Sequence, residues 1–502
     1  MDWHTIFDQA RADVAFLFPE AMLVFFGVAT LLTDFLLTKK QKSWNALTVM
    51  LGVMLSGASL YVLVQPAAGH ITVFSNSIVI DPFFIFFGCI ILFAAAVVIL
   101  FSVRYMEFEN GHSGEYYALI SFAAAGMMFL ACGNDLVVLF VALETMAISF
   151  YVLTGYLQDN RRSNEAALKY MLMGAFSSGI LAYGFSILYG IAGSTNLQAI
   201  QRAVQQRHID FPGTDLLTFL ALATITVGVF FKIAAVPFHW WAPDVYQAAP
   251  TPITGYVSVA SRAASFALLL RLFLTIFWPM SLDWAAIMAA AGVLSLTLGT
   301  LAAITQTNIK RLLAYSSIAQ AGYILLGLAA SVNRDGSVHE RGLQATAFYI
   351  FAYAFFNSGA IAMVILLRHK GVIGDEIDDL NGLAHRNPAA AICMVIFLLS
   401  LAGIPPTAGF IAKLLIFWSL LETGHPYLAA AGTFFILPAA YYYLRMVAAM
   451  WVREGDEREP LVITTAQKWA LVTLAFVTLA GGIFPERFLQ FAKYSILSSM
   501  GL

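Results

Sequence analysis

The sequence predicts an all-α polytopic membrane protein of about 14 transmembrane helices, with two inverted five-helix repeats and two broken helices. Three observations support this prediction: the composition, a series of long apolar runs, and the prolines that interrupt two of those runs. Of the 502 residues, 60% are hydrophobic and 11% are charged, and the mean hydropathy is +0.79. A soluble domain usually carries about 25% charged residues. No polar stretch is long enough to fold separately, so we expect one membrane domain over residues 1–502.

Each predicted span is an apolar run near the length of about 20 residues that a helix needs to cross a bilayer. In the first half, the runs are Phe16–Leu37, Trp44–Val64, Pro82–Val103, Tyr117–Cys132, Leu136–Leu157, Ala166–Ile191 and Leu216–Trp241. In the second half, they are Ile253–Met280, Trp284–Ile304, Leu312–Ala330, Ala345–Leu367, Ala389–Leu421, Pro426–Trp451 and Trp469–Phe484. We assign 16–103 to three N-terminal helices, 117–280 to the first repeat, 284–451 to the second, inverted repeat and 469–484 to the last helix.

The loop charges predict the orientation. An even number of spans places both termini on one face of the membrane. Most loop lysines and arginines fall on the opposite face, among them Arg161, Arg162, Lys310 and Arg311. Because positively charged loops stay inside, we expect both termini on the outer side.

The repeat is predicted from two pairs of similar features. The sequence A-F-S-S-G at Ala175–Gly179 is matched by A-F-F-N-S-G at Ala354–Gly359, and Lys232 and Lys413 are separated by nearly the same number of residues. A repeat of five helices is odd, so its second copy enters the membrane upside down. The alternative is chance, because small-residue patterns recur in membrane helices.

Prolines near the two lysines predict breaks in the seventh and twelfth spans. Pro237 follows Lys232, and Pro405 and Pro406 precede Lys413. Each proline removes a backbone donor and obstructs the preceding turn. Freed backbone groups at membrane depth are tolerated where they face protein or water, so we expect a hydrated path at both breaks. The alternative is an ordinary proline kink.

Three ionisable residues are expected at bilayer depth and predict proton movement. Glu144 lies too deep for its short side chain to reach the interface, so it needs a partner or a proton. Lys232 is its natural counter-charge, because burial penalises a charged lysine and a nearby carboxylate stabilises it. Lys413 is expected to be the equivalent or terminal carrier in the second repeat. The alternative for each is a structural ion pair.

Arg262 is also expected mid-membrane, in S-V-A-S-R-A-A-S-F. Arginine keeps its proton, so Arg262 either organises water and tunes a neighbour or acts as a static partner. Lys169 lies near the start of its span and either pairs with Glu144 from the inside edge or snorkels to the interface. For Arg271 and Asp81, near helix ends, interface anchoring or capping is the better interpretation.

The remaining composition excludes several classes of site. Cys89, Cys132 and Cys393 are far apart with no C-x-x-C, which argues against an iron–sulfur, zinc or disulfide framework. His239 is the only histidine near bilayer depth, which argues against a haem-binding cytochrome. The net charge of −2 gives no basic patch for nucleic acid. We therefore expect no cofactor and no metal in this chain.

One long motif and the buried charges resemble a known family. The stretch P-F-H-W-W-A-P-D-V-Y-Q-A-A-P-T-P at Pro237–Pro252 follows Lys232. Together with Glu144, Lys169 and Lys413, it is similar to the antiporter-like subunits of respiratory complex I, and the resemblance covers nearly the whole chain.

Two local features resemble one branch of that family, subunit N of the bacterial NADH:quinone oxidoreductases. One is the lysine at Lys413, where subunit M carries glutamate. The other is the segment E-I-D-D-L-N-G-L-A-H-R-N-P at Glu376–Pro388.

The resemblance implies proton translocation coupled to quinone reduction elsewhere in the complex. It implies that Glu144 pairs with Lys232, that Lys169 acts beside them, and that Lys413 lies at the far end of the path. NAD, FMN, iron–sulfur clusters and quinone would bind in other subunits. The expected partners are other membrane subunits of complex I, including other antiporter-like subunits, and membrane lipids. The expected location is the bacterial inner membrane, with both termini periplasmic.

The sequence departs from the family at two central positions. Arg262 stands where lysine is common, and Gln320 stands where histidine is frequent. Neither side chain titrates at ordinary pH, so we expect water to carry the proton between the two halves. Two other functions stay open: a subunit of a multi-subunit sodium/proton antiporter, and a passive scaffold for assembly.

Overall fold

The computed structural model describes residues 13–38, 41–67, 70–109, 114–210, 215–368, 374–454, 461 and 463–499. Within these ranges, 13 helices are long and apolar enough to cross a membrane. The prediction of an all-α polytopic membrane protein is therefore confirmed. A small antiparallel hairpin precedes the third span, with strands β1 (Ile71–Val73) and β2 (Ile78–Ile80).

The helices of the first half follow the predicted order. They are α1 (Phe18–Asp34), α2 (Trp44–Val62), α3 (Val64–Ala67), α4 (Pro82–Phe108), α5 (Gly114–Cys132), α6 (Leu136–Thr154), α7 (Arg161–Ala192), α8 (Leu197–Asp210), α9 (Leu216–Ile233) and α10 (Trp241–Ala248). Asparagine and aspartate side chains cap several helix starts; the carboxylate of Asp135, for example, accepts a hydrogen bond from the Val137 amide at 2.8 Å.

The second half continues in the same way. Its helices are α11 (Thr251–Tyr256), α12 (Arg262–Thr275), α13 (Ser281–Ile304), α14 (Ile309–Ala329), α15 (Glu340–Leu367), α16 (Leu383–Arg386), α17 (Pro388–Ala402), α18 (Ala408–Glu422), α19 (Pro426–Phe434), α20 (Ile436–Trp451), α21 (Thr465–Ile483) and α22 (Pro485–Ser499). Short 3₁₀ turns occur at Ala15–Leu17, Trp278–Met280 and Ile377–Leu380.

The seventh and twelfth predicted spans are each divided into two helices. Helix α9 ends at Ile233 and is followed by Ala234, which has a left-handed backbone (φ 55°); Pro237 lies between α9 and α10. Helix α17 ends at Ala402 and is followed by Gly403, which is also left-handed (φ 83°); Pro405 and Pro406 lie between α17 and α18. Both divisions therefore leave helix-terminal carbonyl groups in the interior of the bundle.

The eighth span contains a feature that the sequence does not predict. Between α11 and α12, residues Val257–Ser261 form a π-helical turn that ends immediately before Arg262. Such turns insert one extra residue into a helix and occur frequently at functional sites. In the most apolar 18-residue stretch of this span, 100% of the residues are buried, whereas the corresponding share in the first span is 28%. The π-helical turn therefore lies in the centre of the bundle.

A pair of backbone contacts recurs in the two halves. At the start of the fifth span, the Leu136 amide donates to Thr195 O at 2.9 Å and the Leu197 amide donates to Asn134 O at 3.0 Å. At the start of the tenth span, the Ile309 amide donates to Asp375 O at 2.6 Å, and the Ile377 amide donates to Thr307 O at 3.0 Å. Five spans separate the two starts, so the contacts lie on opposite faces, as an inverted repeat requires. The repeat itself stays a prediction.

The similar spacing of Lys232 and Lys413 does not reflect equivalent positions. Lys232 comes shortly before its left-handed residue, Ala234, whereas Lys413 comes well after Gly403, on the second half-helix. When the two breaks are aligned, Lys232 corresponds to Leu401. The lysine pair therefore gives no support to the repeat.

Candidate functional site

Three of the buried cationic side chains in the described ranges are residues that the sequence places at bilayer depth. The exposed fractions of Lys232, Arg262 and Lys413 are 3%, 3% and 1%. An ionised group this deep needs partners or water, because burying an unpaired charge is costly. Each of the three has a different environment.

Lys232 lies in the last turn of α9 near Glu144 of α6. Its Nζ atom has no hydrogen-bond partner among the described residues, and the same holds for the buried Oε1 atom of the half-buried Glu144. The two charges interact electrostatically. None of the ion pairs within 4.0 Å in the described ranges joins them. The predicted glutamate–lysine pair is thus an electrostatic pair without direct contact.

Aromatic residues surround Lys232 and connect the two halves of the broken span. The ring centroid of Tyr151 lies 5.9 Å from the Lys232 Nζ atom. Trp241, at the start of α10, stacks on Tyr170 with ring centroids 4.5 Å apart and donates from its indole N–H to Phe231 O at 2.8 Å. That bond fixes the second half-helix to the end of the first, and so fixes the position of Lys232.

Lys169 lies at the surface of the bundle. Its side chain is 44% exposed and forms ion pairs with Glu165 at 2.9 Å and with Asp244 at 3.4 Å. Asp244 also pairs with Arg311 at 2.9 Å. These carboxylates are the described ion-pair partners of Lys169, and Glu144 is not among them.

Arg262 follows the π-helical turn and has only part of its hydrogen-bonding capacity satisfied. Its Nη1 atom donates to the carbonyl oxygen of Ser317, while its Nε and Nη2 atoms are buried with no partner among the described residues. The side chain borders a cavity of about 10 Å³ that Gln320 and Tyr353 also line. That volume accommodates about one water molecule, which the free donors of Arg262 can bind.

Gln320 connects this cavity to the twelfth span. Its Nε2 atom donates to Leu401 O at 3.0 Å and to the Tyr443 hydroxyl at 3.3 Å, and its Oε1 atom accepts from the Tyr349 hydroxyl. From the sequence, Gln320 is recognised only as a departure from the family. Its amide has donors and an acceptor, which is what a bridging position requires.

Lys413 caps the end of a half-helix. Its Nζ atom donates to Leu401 O at 2.9 Å and to Ala402 O at 3.0 Å, and it lies 4.6 Å from the ring centroid of Tyr323. The C-terminal end of a helix carries a partial negative charge, which favours a cation. Because Gln320 donates to the same Leu401 carbonyl, the arginine cavity and the Lys413 site share one backbone group.

Two further groups of buried charges were not recognised as such from sequence. Arg271 donates to Asp81 at 2.6 Å, and both side chains are buried, so the prediction that Arg271 anchors the protein at the membrane interface is wrong. The prediction of a helix cap is confirmed for Asp81, which accepts a hydrogen bond from the Phe84 amide at 2.8 Å. Lys310, assigned to a loop end, is 5% exposed and pairs with Asp375 at 3.3 Å. In the described ranges, no group of three or more histidine, cysteine or carboxylate residues could hold a metal ion.

Comparison with known proteins points to one family. The family model for the transmembrane part of NADH:quinone oxidoreductase and Mrp antiporters matches residues 133–437. The NADH-quinone oxidoreductase subunit N 2 of Solibacter usitatus is 48% identical over 485 residues, covering 95% of this chain and 96% of the relative. Subunit N 1 of Koribacter versatilis is 48% identical over 497 residues, covering 98% and 96%.

Solved structures have the same fold. A chain of respiratory complex I from Thermus thermophilus with bound aureothin has a TM-score of 0.78 and 30% identity, covering 95% of this chain and 99% of that chain. A chain of the Mrp complex from Dietzia sp. has a TM-score of 0.81 with 21% identity, covering 95% and 97%. At that identity, the second likeness concerns the fold alone.

Replacing Gly403 by alanine tests the cap at Lys413. An added Cβ would lie 2.7 Å from the Lys413 Cδ atom, and alanine is also disfavoured at this left-handed residue. We expect Gly403→Ala to lower the free energy of unfolding by at least about 1–2 kcal/mol, measured by thermal unfolding in detergent. Gly190→Ala is the control, because no heavy atom lies within 4 Å of its added Cβ. Equal stability of the two variants would contradict the described position of Lys413.

Proposed function

The chain belongs to the NADH:quinone oxidoreductase/Mrp antiporter transmembrane family, in its subunit N branch, and on this premise we propose that protons move through it along Glu144, Lys232, Arg262 and Lys413. The chain serves as a proton-translocating membrane subunit of an NADH-quinone oxidoreductase. It has no redox role of its own, and NAD, FMN, iron–sulfur clusters and quinone bind in other subunits.

The observation that carries the proposal is the unsatisfied Lys232 beside Glu144. A buried ammonium group with no hydrogen-bond partner in the described structure is stable only if a nearby negative charge or water compensates it. Glu144 supplies that charge without direct contact. A change in their separation or in the protonation of Glu144 therefore changes the cost of a proton on Lys232, which is how such a pair accepts and releases protons.

The middle of the path needs water rather than a titrating side chain. Arg262 keeps its charge, so it attracts and orders water without giving up a proton. The cavity beside Arg262 and Gln320 accommodates about one water. From there, Gln320 and Lys413 converge on the Leu401 carbonyl. We assign Lys413 as the terminal carrier, because its proton is held by backbone carbonyls and an aromatic ring instead of a carboxylate.

The role of Lys169 differs from that of the buried members. Its ion pairs with Glu165 and Asp244 support a role at the exposed edge of the path, where charged groups exchange protons with water. Pro237, Pro405 and Pro406 contribute by ending the half-helices that expose carbonyl groups to the path.

The wider assignment follows the family. The chain lies in the bacterial inner membrane with both termini periplasmic, beside other membrane subunits that include antiporter-like ones, and in contact with lipid. The curated relatives at 48% identity are NADH-quinone oxidoreductase subunits, which favours this function over a sodium/proton antiporter.

Lys232→Ala and Glu144→Gln test the path. The assembled complex is measured in inverted vesicles. We expect both variants to lower the number of protons moved per NADH by the share that this subunit carries, because Lys232→Ala removes the proton carrier and Glu144→Gln removes its counter-charge. Lys493→Ala is the control, since Lys493 is exposed and pairs with Glu340 at the surface.

Assembly is followed by the flavin and iron–sulfur content that purifies with the chain. Full proton stoichiometry in Lys232→Ala would refute the path. If proton transport instead falls only in proportion to the amount of assembled complex, the result would support the passive scaffold.

Arg262→Lys and Arg262→Ala test the middle of the path. We expect the lysine variant to keep pumping, because it retains a positive charge for the water in the cavity, and the alanine variant to impair it, because charge and donors are lost. The measurement is the same proton stoichiometry. Normal pumping by Arg262→Ala would show that the central charge is not needed.

A further inference from the structure

A large polar vestibule opens on the face of the molecule that carries the positive loops. Its volume is about 790 Å³, and its lining includes Tyr105, Glu109, Lys310, Arg368 and Asp375. These residues come from the end of α4, the start of α14 and the end of α15 with the segment that follows it. The proton path proposed above uses none of them.

Two ion pairs form the inner wall of this vestibule. Lys310 pairs with Asp375 at 3.3 Å and also donates to Ala249 O at 3.1 Å. Arg368 pairs with Glu109 beside them, and both of these charges act on Lys310. The four charges sum to zero, which offsets part of the cost of burying the Lys310 ammonium group.

Helix α14 connects Lys310 with the centre of the molecule. Ser317 and Gln320 follow Lys310 at helical spacing, so the three lie on one side of α14, and Ser317 is about 10 Å along the axis from Lys310. The Ser317 carbonyl accepts from Arg262, and Gln320 lines the arginine cavity. One side of a single buried helix thus extends from the vestibule to the central charge.

Buried polar groups also occur along the chain between Ala249, which accepts from Lys310, and Arg262. The Thr254 hydroxyl donates to Tyr246 O at 2.9 Å. In the π-helical turn, the Ser258 hydroxyl donates to Gly255 O at 3.0 Å and accepts from the Asn357 amide at 2.9 Å. A polar column of this kind can order water between two charged sites.

We propose that this vestibule is the site where protons enter the middle of the path, at Arg262, and that Asp375 and Lys310 are the pair that exchanges the proton. The proposal rests on the proton path described above. Asp375 accepts a proton from a hydronium ion in the vestibule, which leaves water and a neutral carboxyl group. The weakened ion pair lets the Lys310 ammonium pass its proton inward to a water beside the Ala249 carbonyl. The carboxyl proton then returns to the Lys310 amine. One proton has moved inward, and both side chains are restored.

A purely structural ion pair would give a different response to mutation. Lys310→Met or Asp375→Asn alone leaves one buried charge without its partner, so either variant can harm folding. The double variant Lys310→Met/Asp375→Asn removes both charges together. It therefore keeps the wall neutral while removing both exchanging groups.

The test compares three forms of the assembled complex in inverted vesicles: the double variant, Lys232→Ala, and the control Arg453→Met/Asp378→Asn. The control removes an exposed ion pair of 2.9 Å in a nearby loop region. We expect the double variant to assemble with full flavin and iron–sulfur content and to move fewer protons per NADH, while the control is unchanged. Normal proton stoichiometry in the double variant, with a defect in Lys232→Ala, would overturn the entry site alone. Normal stoichiometry in both would overturn the whole path.

Access from water is measured separately. Asp375→Cys is placed in a background in which Cys89, the exposed native cysteine, is replaced by serine. We expect a membrane-impermeant maleimide to label the introduced cysteine in inverted vesicles, which expose the positively charged face, and not in vesicles of the opposite orientation. Absence of labelling in the assembled complex, with labelling in the unfolded chain, would overturn the entry site.

Discussion

The cost of placing charge in hydrocarbon governs the arrangement of this protein. The three buried cations of the proposed path are each stabilised in a different way: Lys232 by a carboxylate at a distance, Arg262 by one carbonyl and a small cavity, and Lys413 by the end of a helix. Arg271 has a direct carboxylate partner. Arg271 keeps its proton and is held in place by this ion pair, whereas Lys232 and Arg262, whose donors are incompletely satisfied, keep a capacity for water or for a proton.

Broken helices provide part of this stabilisation without additional charged residues. At Gly403, the left-handed backbone ends α17 and leaves the Leu401 and Ala402 carbonyls for Lys413. At Ala234, a similar termination places Lys232 in the last turn of its half-helix, with its Nζ atom bound to no described acceptor. A left-handed residue at the helix end therefore accompanies two different outcomes: Lys413, in the second half, binds carbonyl groups, whereas Lys232, in the first half, has no such bond.

Most of the fold could be predicted from the sequence because hydropathy and helix length are local properties. The broken spans were also accessible, since proline acts on its own turn. Partner choice was not, because it depends on which helix faces pack together. Lys169 pairs with Glu165 and Asp244, and Lys310 is buried although it borders a loop. The π-helical turn before Arg262 had no sequence signal, since V-S-V-A-S fits an ordinary helix equally well.

The Leu401 carbonyl has a consequence for communication between the two halves. Its oxygen has two lone pairs, and it receives one hydrogen bond from Lys413 and one from Gln320. If Lys413 turns away, that oxygen has one donor left, and its bond with the Gln320 amide strengthens. The strength of the Gln320 hydrogen bond therefore depends on where Lys413 lies, and this neutral side chain, which lines the Arg262 cavity, couples the surroundings of the arginine to those of the lysine.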